Sequence, residues 1–289
     1  MSIFIILKSL YIFLFLFIIL LFRIDRKLTR LPEDIFFFNK TFIESHRGMN
    51  REIFQNTYES LSKAIYYNLE AIETDVWLTK DNIAVLHHGY GEFGNIVGYY
   101  DHPGNITKLT YNELSQFRTI SDGLKMPKLS DVMKLTKNKI FINLEIKDPR
   151  IDLVFPYIVN LIEEYDFFNQ ITLSSFHHEF YEKVKEYNKN NNKNIIFGFI
   201  YGKYREYEFD YTKSGSSLNV YWADANKYVC EKAHQNNMAV LAWFDMDEEE
   251  TPEIYRQLIE NGIDIICSNE PLLARKYVKY YKMKNKNSY

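Results

Sequence analysis

Charged and aromatic residues stand at the ends of five apolar runs whose composition is otherwise that of buried strands. A buried strand avoids such residues because an unpaired charge is costly to remove from water. Their recurrence from run to run indicates that the strand ends meet at one functional site. The five groups are His46-Arg47-Gly48, Glu73-Thr74-Asp75, His87-His88-Gly89, Asn143-Leu144-Glu145-Ile146-Lys147 and Trp243.

The spacing of the carboxylates predicts a metal site. Glu73 and Asp75 are two residues apart, so both side chains point to one face of a strand, as do Glu145 and Lys147. Carboxylates crowded together repel each other unless a cation lies among them. With no cysteine nearby, Glu73, Asp75 and Glu145 form an all-oxygen site for a divalent metal, Ca²⁺ or Mg²⁺ rather than Zn²⁺. Alternatively, they are surface charges or ion-pair partners of Arg47 and Lys147.

Two histidines and two cations indicate the chemistry around that metal. His46 and His88 suit an acid–base pair near neutral pH, in which one takes a proton and the other gives one. A single histidine at a strand end is also compatible with a structural role. Arg47 can hold a phosphate in a bidentate way and Lys147 as a point charge. Together these residues predict phosphodiester cleavage.

Strand-like and helix-like segments alternate along the rest of the chain, which is typical of a buried parallel sheet. Eight strands in about 240 residues favour a (β/α)₈ TIM barrel over an open sheet. The stretch 89–138 is too long for one loop, so we expect a small insertion after the third strand. The predicted strands lie near 42–46, 71–77, 83–88, 139–146, 170–175, 194–200, 238–243 and 263–267, and the helices near 56–67, 151–165, 177–188, 225–236, 249–260 and 271–281.

Composition narrows the class of protein further. The chain has a net charge of −3, and its first 30 residues carry +4, which leaves −7 for the body. Such an acidic body lacks the basic face of a nucleic-acid binder, so we predict no nucleic-acid partner. We also predict no protein partner. Two cysteines, Cys230 and Cys267, are too few for a disulfide framework, and we expect both to be reduced and buried.

The first 30 residues predict an N-terminal transmembrane helix. The stretch from Ile3 to Phe22 is apolar except at three positions and approaches the ~20 residues that span a bilayer. The alternatives are a cleaved signal peptide, for which no small-residue cleavage site follows, and a buried helix. The chain then divides into a membrane anchor with a basic flank (1–30), a linker (31–41), the barrel (42–281) and a Lys- and Asn-rich tail (282–289).

The orientation of this single-pass anchor rests on flanking charge. Four basic residues follow the apolar run directly, so the positive-inside tendency favours a cytoplasmic catalytic domain. Two short glycosylation patterns, Asn39-Lys40-Thr41 and Asn105-Ile106-Thr107, would suit a lumenal domain instead.

The whole set of motifs resembles the glycerophosphodiester phosphodiesterases over residues 42–280. The order and spacing of many blocks carry this resemblance, rather than any single block. They are His46-Arg47-Gly48, Gln55-Asn56-Thr57, Ile72-Glu73-Thr74-Asp75-Val76-Trp77-Leu78-Thr79-Lys80-Asp81, Val85-Leu86-His87-His88, Asn143-Leu144-Glu145-Ile146-Lys147, Ser174-Ser175-Phe176, Trp243 and Gly262-Ile263-Asp264-Ile265-Ile266.

The resemblance implies a TIM barrel that hydrolyses glycerophosphodiesters to glycerol 3-phosphate and an alcohol. The positions that match the family's metal ligands are Glu73, Asp75 and Glu145, and those that match its acid–base pair are His46 and His88. Alignment selects His88 over His87. Arg47 and Lys147 match phosphate contacts, and Trp243 matches a residue that lines the substrate pocket.

The chain also departs from the family pattern at several positions. Gly89 replaces the usual Asp after the catalytic His, and Gln55 replaces a Glu. Glu92 is a candidate to compensate for the missing Asp. Phe244-Asp245-Met246 and Ser268-Asn269 also differ from the usual residues. Because the core set is intact, we expect activity.

Three functions remain open from the sequence. The first is a membrane-tethered, metal-dependent glycerophosphodiesterase. The second keeps this chemistry but takes lysophospholipids or N-acylethanolamine phospholipids, as a lysophospholipase D. The third is a tethered barrel that binds phosphodiesters without turning them over.

Overall fold

The computed structural model describes residues 41–286. The predicted anchor and all but the last residue of the predicted linker lie outside this range. Within it, no helix is both long enough and apolar enough to cross a bilayer.

Eight parallel strands of the described region close into a barrel. Each strand pairs with the next along the ring, and the first strand closes it by pairing with both the second and the last. The prediction of a (β/α)₈ barrel is therefore confirmed. The strands are β1 (Phe42–Ser45), β2 (Ala71–Leu78), β4 (Phe141–Ile146), β5 (Ile171–Ser175), β6 (Ile196–Ile200), β7 (Ser217–Tyr221), β8 (Ala239–Trp243) and β9 (Ile265–Ser268).

The predicted strand at 83–88 is not a barrel strand, which corrects the strand count. It forms β3 (Ala84–Leu86), which pairs antiparallel with the end of β2. Only residues 79–83 separate the two strands, whereas a parallel crossover needs about a dozen or more. Thr79 and Asn82 build the turn, in which Asn82 has a φ of +61°. The insertion therefore follows the second barrel strand and includes β3, rather than following a third barrel strand.

The sixth barrel strand, β7, has no counterpart in the predicted set. Its sequence alternates polar and apolar residues instead of forming a continuous apolar run. Leu218 and Val220 pack in the layer beneath the helices, and Ser217 hydrogen-bonds Asn219 through buried side chains 2.7 Å apart. Because its interior-facing residues are polar, β7 lacks the continuous apolar run that predicts a buried strand.

Helices follow seven of the eight barrel strands, and β6 is followed by a short 3₁₀ turn, Glu206–Glu208. Pro252 occupies the first turn of its helix after the Thr251 cap, as its position in the sequence indicates. The last helix continues to Lys286, beyond the predicted boundary at 281. The helices are α1 (Tyr58–Tyr66), α2 (Tyr111–Leu114), α3 (Leu129–Thr136), α4 (Ile151–Glu164), α5 (Phe180–Asn191), α6 (Lys227–Gln235), α7 (Pro252–Asn261) and α8 (Pro271–Lys286).

The insertion between β2 and β4 has a small apolar core of its own. Trp77 and Val85 supply its base from the β2–β3 ribbon, and Ile96, Tyr100 and Ile106 pack on them. Its last helix, α3, belongs to the main outer layer. The insertion is thus anchored on the strand that carries Glu73 and Asp75, next to the barrel mouth.

The barrel interior is apolar at one end and polar at the other. An apolar cluster that includes Phe42, Ala71, Phe141 and Ile265 fills the end where the strands begin. Further along the same strands the interior residues are polar and buried. The parallel strands therefore deliver their polar residues to the carboxyl-terminal mouth, where TIM barrels hold their sites.

A histidine–carboxylate pair supports the closure of the sheet between β8 and β9. Asp264 accepts the Val240 N–H at 2.8 Å and the His234 Nε2 at 2.8 Å. The hydrogen bond to Asp264 raises the pKa of His234 above its ordinary value of 6.5. The stabilisation by this pair is thus complete below about pH 6.5 and is lost as the pH rises through the folded-state pKa.

We predict that His234→Ala lowers the free energy of unfolding more at about pH 5 than at about pH 9. The imidazole is partly exposed, so the expected difference is about 0.5 kcal/mol. Urea unfolding of both proteins at the two pH values measures it. An equal loss at both pH values would contradict a charged His234–Asp264 pair.

Candidate active site

One cavity of about 510 Å³ lies at the carboxyl-terminal mouth of the barrel. It brings together seven of the eight residues that the sequence selected, from five strands and the turns after them. The eighth, Asp75, is fully buried beneath the cavity wall. The seven lining residues are His46, Arg47, Glu73, His88, Glu145, Lys147 and Trp243.

The pairing of β2 with β4 places the three carboxylates side by side. Its register sets Asp75 opposite Glu145 and Glu73 opposite Asn143. Glu73, Asp75 and Glu145 each offer one oxygen, and these oxygens lie within 4.8 Å of one another. Since all three residues are buried, water screens their repulsion poorly.

The electrostatics of the carboxylates fit a bound cation. Burial raises the pKa of Glu73 well above its ordinary value, and the Asp75 charge adds to this effect. Burial likewise raises the pKa of Glu145, against the opposing influence of Lys147. Glu73 Oε1 and Asp75 Oδ1 are buried without a hydrogen-bond partner among the described residues. Hard carboxylate oxygens with free lone pairs suit Ca²⁺ or Mg²⁺.

Asp75 remains ionised because cations and an amide surround it. Burial by itself would raise its pKa, but the charges of Arg47 and Lys147 and the hydrogen bond from Asn56 hold the pKa below the ordinary value. Arg47 Nε lies 3.0 Å from Asp75 Oδ2, which also accepts a 2.8 Å hydrogen bond from Asn56 Nδ2. Asn56 thereby fixes the orientation of one candidate ligand.

A left-handed turn after β1 positions Arg47. Arg47 has a φ of +56° and Gly48 a φ of +80°, and the Arg47 N–H donates to Glu73 Oε2 at 3.0 Å. A Cβ on Gly48 would lie 2.7–2.9 Å from Ser60, so only glycine fits there. The turn thus directs the Arg47 backbone to one carboxylate and its guanidinium to another.

The hydrogen bonds of His46 define its tautomer. Asn269 Nδ2 donates to the Asp245 carbonyl, so its Oδ1 faces His46 Nδ1 at 2.8 Å and must accept from it. His46 Nε2 therefore carries a lone pair, and it lies 3.9 Å from Glu73 Oε2. Burial, with Arg47 nearby, lowers the pKa of His46 to about 3. The imidazole is neutral and ready to accept a proton.

His88 lies on the opposite side of the carboxylates, beside Lys147. Lys147 Nζ is 3.3 Å from His88 Nε2 and 2.9 Å from Glu145 Oε1. Burial is the main reason that the pKa of His88 falls to about 2. Because the ammonium can only donate, Nε2 accepts and Nδ1 carries the proton.

His87 and His88 face different surroundings, as strand alternation indicates. His88 lines the cavity, whereas His87 is buried behind it between the rings of Tyr99 and Tyr100. Neither ring nitrogen of His87 has a hydrogen-bond partner among the described residues. Burial lowers the pKa of His87 to about 4, so this imidazole is neutral.

Comparison with known proteins identifies the family to which this chain belongs. The model of the glycerophosphoryl diester phosphodiesterase family matches residues 46–273, which span both histidines, all three carboxylates and the last barrel strand. The chain belongs to this family. Its members are phosphoric diester hydrolases, and the sequence resemblance is thereby confirmed.

Three relatives each cover at least 80% of this chain. A glycerophosphodiester phosphodiesterase of Caldanaerobacter subterraneus is 25% identical over 245 residues, which are 80% of this chain and 95% of the relative. A crystal structure of a glycerophosphodiester phosphodiesterase from Parabacteroides distasonis superposes with a TM-score of 0.69 at 22% identity, covering 84% of this chain and 98% of that one. An Oleispira antarctica phosphodiesterase, solved with its product sn-glycerol-3-phosphate, gives a TM-score of 0.66 at 18% identity, with coverage of 82% and 96%.

Three polar residues of this glycerophosphodiester phosphodiesterase site were not selected from the sequence. Glu44 lies two positions before His46 and faces the same interior, where burial raises its pKa to about 7. Asn56 orients Asp75, and Asn269 orients His46. The two-residue spacing of Glu44 and His46 is a sequence signal that both side chains face the barrel interior. The two asparagines lie in loops 19 and 223 residues away from their partners, and no local pattern reveals them.

The missing family aspartate at Gly89 has a local structural reason. Gly89 has a φ of +62°, and a Cβ there would lie 2.8 Å from the Trp77 indole nitrogen, which donates to the His88 carbonyl at 3.0 Å. The indole thus occupies the space that a side chain at position 89 would need. Glu92, the predicted substitute, is exposed on the insertion and does not line the cavity.

We predict that Gly89→Asp, which restores the family residue, destabilises this chain. Gly91 provides the matched control, because its φ of +65° is similar but a Cβ there meets nothing within 4 Å. Gly89→Asp should lower the free energy of unfolding by about 1–3 kcal/mol more than Gly91→Asp, the usual cost of overpacking. Denaturant titrations measure both. Equal losses would show that Trp77 does not exclude the aspartate.

Proposed function

We propose that the chain hydrolyses glycerophosphodiesters to glycerol 3-phosphate and an alcohol, with a divalent cation held by Glu73, Asp75 and Glu145. One observation carries the proposal: three buried, mutually repelling carboxylates cluster at one cavity beside two neutral histidines, with Glu73 and Glu145 on the cavity lining and Asp75 beneath it. The family assignment supports the substrate class, since its named members act on these diesters.

The chemistry of the ligands favours Ca²⁺ or Mg²⁺. Carboxylate oxygens are hard ligands, and Glu73 Oε1 and Asp75 Oδ1 are buried without a hydrogen-bond partner among the described residues. A bound divalent cation would neutralise the carboxylates and polarise a phosphate oxygen. Arg47 and Asn56 both contact Asp75 Oδ2 and fix the orientation of this ionised carboxylate. Its other oxygen, Oδ1, is then available to the cation.

The two histidines divide the proton transfers. We assign the base role to His46, whose Nε2 lone pair is free of a hydrogen-bond donor while Asn269 holds its Nδ1–H. His46 Nε2 takes the proton of the attacking oxygen as that oxygen bonds to phosphorus. His88 passes its Nδ1 proton to the leaving alkoxide as the phosphorus–oxygen bond breaks, while its Nε2 takes a proton from the Lys147 ammonium 3.3 Å away.

Three further residues bind the substrate in this proposal. Arg47 and Lys147 line the cavity and are paired with Asp75 and Glu145, so both cations are held at the place where a phosphate would bind. Trp243 lines the same cavity, with the Tyr221 ring 5.5 Å away, and forms an apolar wall for the glycerol or the alcohol.

A second candidate function keeps this chemistry and takes lysophospholipids. The insertion beside the mouth exposes several large apolar side chains to solvent, which is the observation in its favour. They are Tyr90, Phe93, Val97 and Ile120. Exposed apolar groups of this kind suit contact with a lipid chain or a bilayer. We further propose that residues 1–30 tether the barrel to a membrane on its cytoplasmic side, supported by their apolar run and basic flank.

The direct test measures release of glycerol 3-phosphate from glycerophosphocholine by the full chain. We expect activity that EDTA abolishes and that Ca²⁺ or Mg²⁺ restores, because the carboxylates need a cation. Lysophosphatidylcholine in parallel separates the two candidates, since only a lipid-acting enzyme prefers the acylated substrate. Folded protein that binds metal but turns over neither substrate would contradict both and leave a non-catalytic barrel.

The histidine roles predict a large loss of rate on substitution. His46→Ala and His88→Ala should each lower kcat by about 10²–10⁴-fold, the usual contribution of a general acid or base. His102→Ala is the matched control, because His102 is an exposed histidine of the insertion that pairs with Asp101. Either catalytic variant retaining the kcat of the control would overturn its assignment.

A further inference from the structure

A cysteine lines the same cavity as Glu73 and Glu145. It was not among the site residues predicted from the sequence. Cys267, on the inner face of β9, is only 2% exposed and lines the cavity wall. The pairing of β9 with β1 sets Cys267 opposite Glu44, and β1 continues into His46. Cys267 thus lies next to the strand end that carries His46, although the two residues are 221 positions apart in sequence.

These positions form a second group of potential metal ligands. His46, Glu73 and Cys267 each offer one donor atom, and the three atoms lie within 4.8 Å of one another. All three residues are buried. Glu73 Oε1 is buried and has no hydrogen-bond partner among the described residues, so it is available to a cation bound by either group.

The donor types differ from those of the carboxylate group. One nitrogen, one oxygen and one sulfur are a set that Zn²⁺ binds well, whereas Ca²⁺ and Mg²⁺ prefer oxygen alone. His46 is already oriented for this purpose, because Asn269 accepts its Nδ1–H and leaves the Nε2 lone pair available. The cavity leaves room for water or a phosphate oxygen as the fourth ligand.

We propose that His46, Glu73 and Cys267 form a Zn²⁺ site whose occupation inhibits the phosphodiesterase. Binding forms one bond each to His46 Nε2, a Glu73 oxygen and Cys267 Sγ, and the thiol proton leaves to solvent. Zn²⁺ competes with Ca²⁺ or Mg²⁺ because Glu73 belongs to both groups. It also occupies the lone pair that makes His46 a base. The inhibition, though not the binding, rests on the proposed function.

The activity test titrates Zn²⁺ against the full chain at a fixed Mg²⁺ concentration, with glycerophosphocholine as substrate. Measured against its own rate without Zn²⁺, Cys267→Ala should need at least about 10-fold more Zn²⁺ for half inhibition, since even outer-shell partners are worth 10–100-fold in metal affinity. Cys230→Ala is the matched control, because Cys230 is equally buried but lies in α6. Equal sensitivity of wild type and Cys267→Ala would overturn the inhibitory role.

A spectroscopic test is independent of turnover. Co²⁺ replaces Zn²⁺ in such sites, and a thiolate ligand gives an intense sulfur-to-cobalt charge-transfer band. We expect the band in wild type and Cys230→Ala and its loss in Cys267→Ala. Cys267→Ser, which keeps the side-chain volume, repeats the test should alanine disturb folding. A missing band in wild type, or an unchanged band in both Cys267 variants, would overturn the site. A Cys267-dependent band without phosphodiester hydrolysis would support the site and refute only the proposed function.

Discussion

The repulsion among three buried carboxylates is the constraint on which the rest of the site depends. Glu73, Asp75 and Glu145 lie within 4.8 Å of one another at a place where water screens them poorly. Arg47 and Lys147 offset part of the negative charge, yet the pKa of Glu73 and that of Glu145 remain raised. A bound divalent cation would neutralise the remaining negative charge. The same cation would serve the phosphodiester hydrolysis for which the family is named.

The strand register of the parallel barrel produces this crowding. The register between β2 and β4 sets Asp75 beside Glu145, and the turn after β1 brings Arg47 to the same point. Asparagines from distant loops then fix the orientations, with Asn56 on Asp75 and Asn269 on His46. Strand pairing supplies the approximate position of each group, and side-chain amides supply its final orientation.

The same geometry links metal choice with catalysis. Glu73 belongs to the carboxylate group and to the group with His46 and Cys267, so a hard and a softer cation would compete for it. From the sequence alone we prefer Ca²⁺ or Mg²⁺ to Zn²⁺, on the assumption that no cysteine lies near the three carboxylates. That assumption fails in space, because β9 closes the barrel against β1. The preference for the carboxylate group itself is unaffected, since its ligands are all oxygens.

The sequence predicted the barrel and grouped the eight selected residues at its carboxyl-terminal mouth, because strand ends carry a strong local signal. It was insufficient where structure depends on register or on distant loops. The ribbon at β3 resembled a barrel strand in composition, although its short turn excluded a parallel crossover. Strand β7 was missed because Ser217 and Asn219 face the interior. Asn269 orients a residue 223 positions away, a relation that no periodicity within one segment records.

The most direct test of the central claim is the position of a bound cation. Crystals of the full chain soaked in Mn²⁺ would show, by anomalous diffraction, where a Mg²⁺-like ion binds. The account predicts one dominant peak within about 2.0–2.6 Å of carboxylate oxygens from Glu73, Asp75 and Glu145 together. A peak that touches at most one of them, or no peak at saturating Mn²⁺, would contradict it.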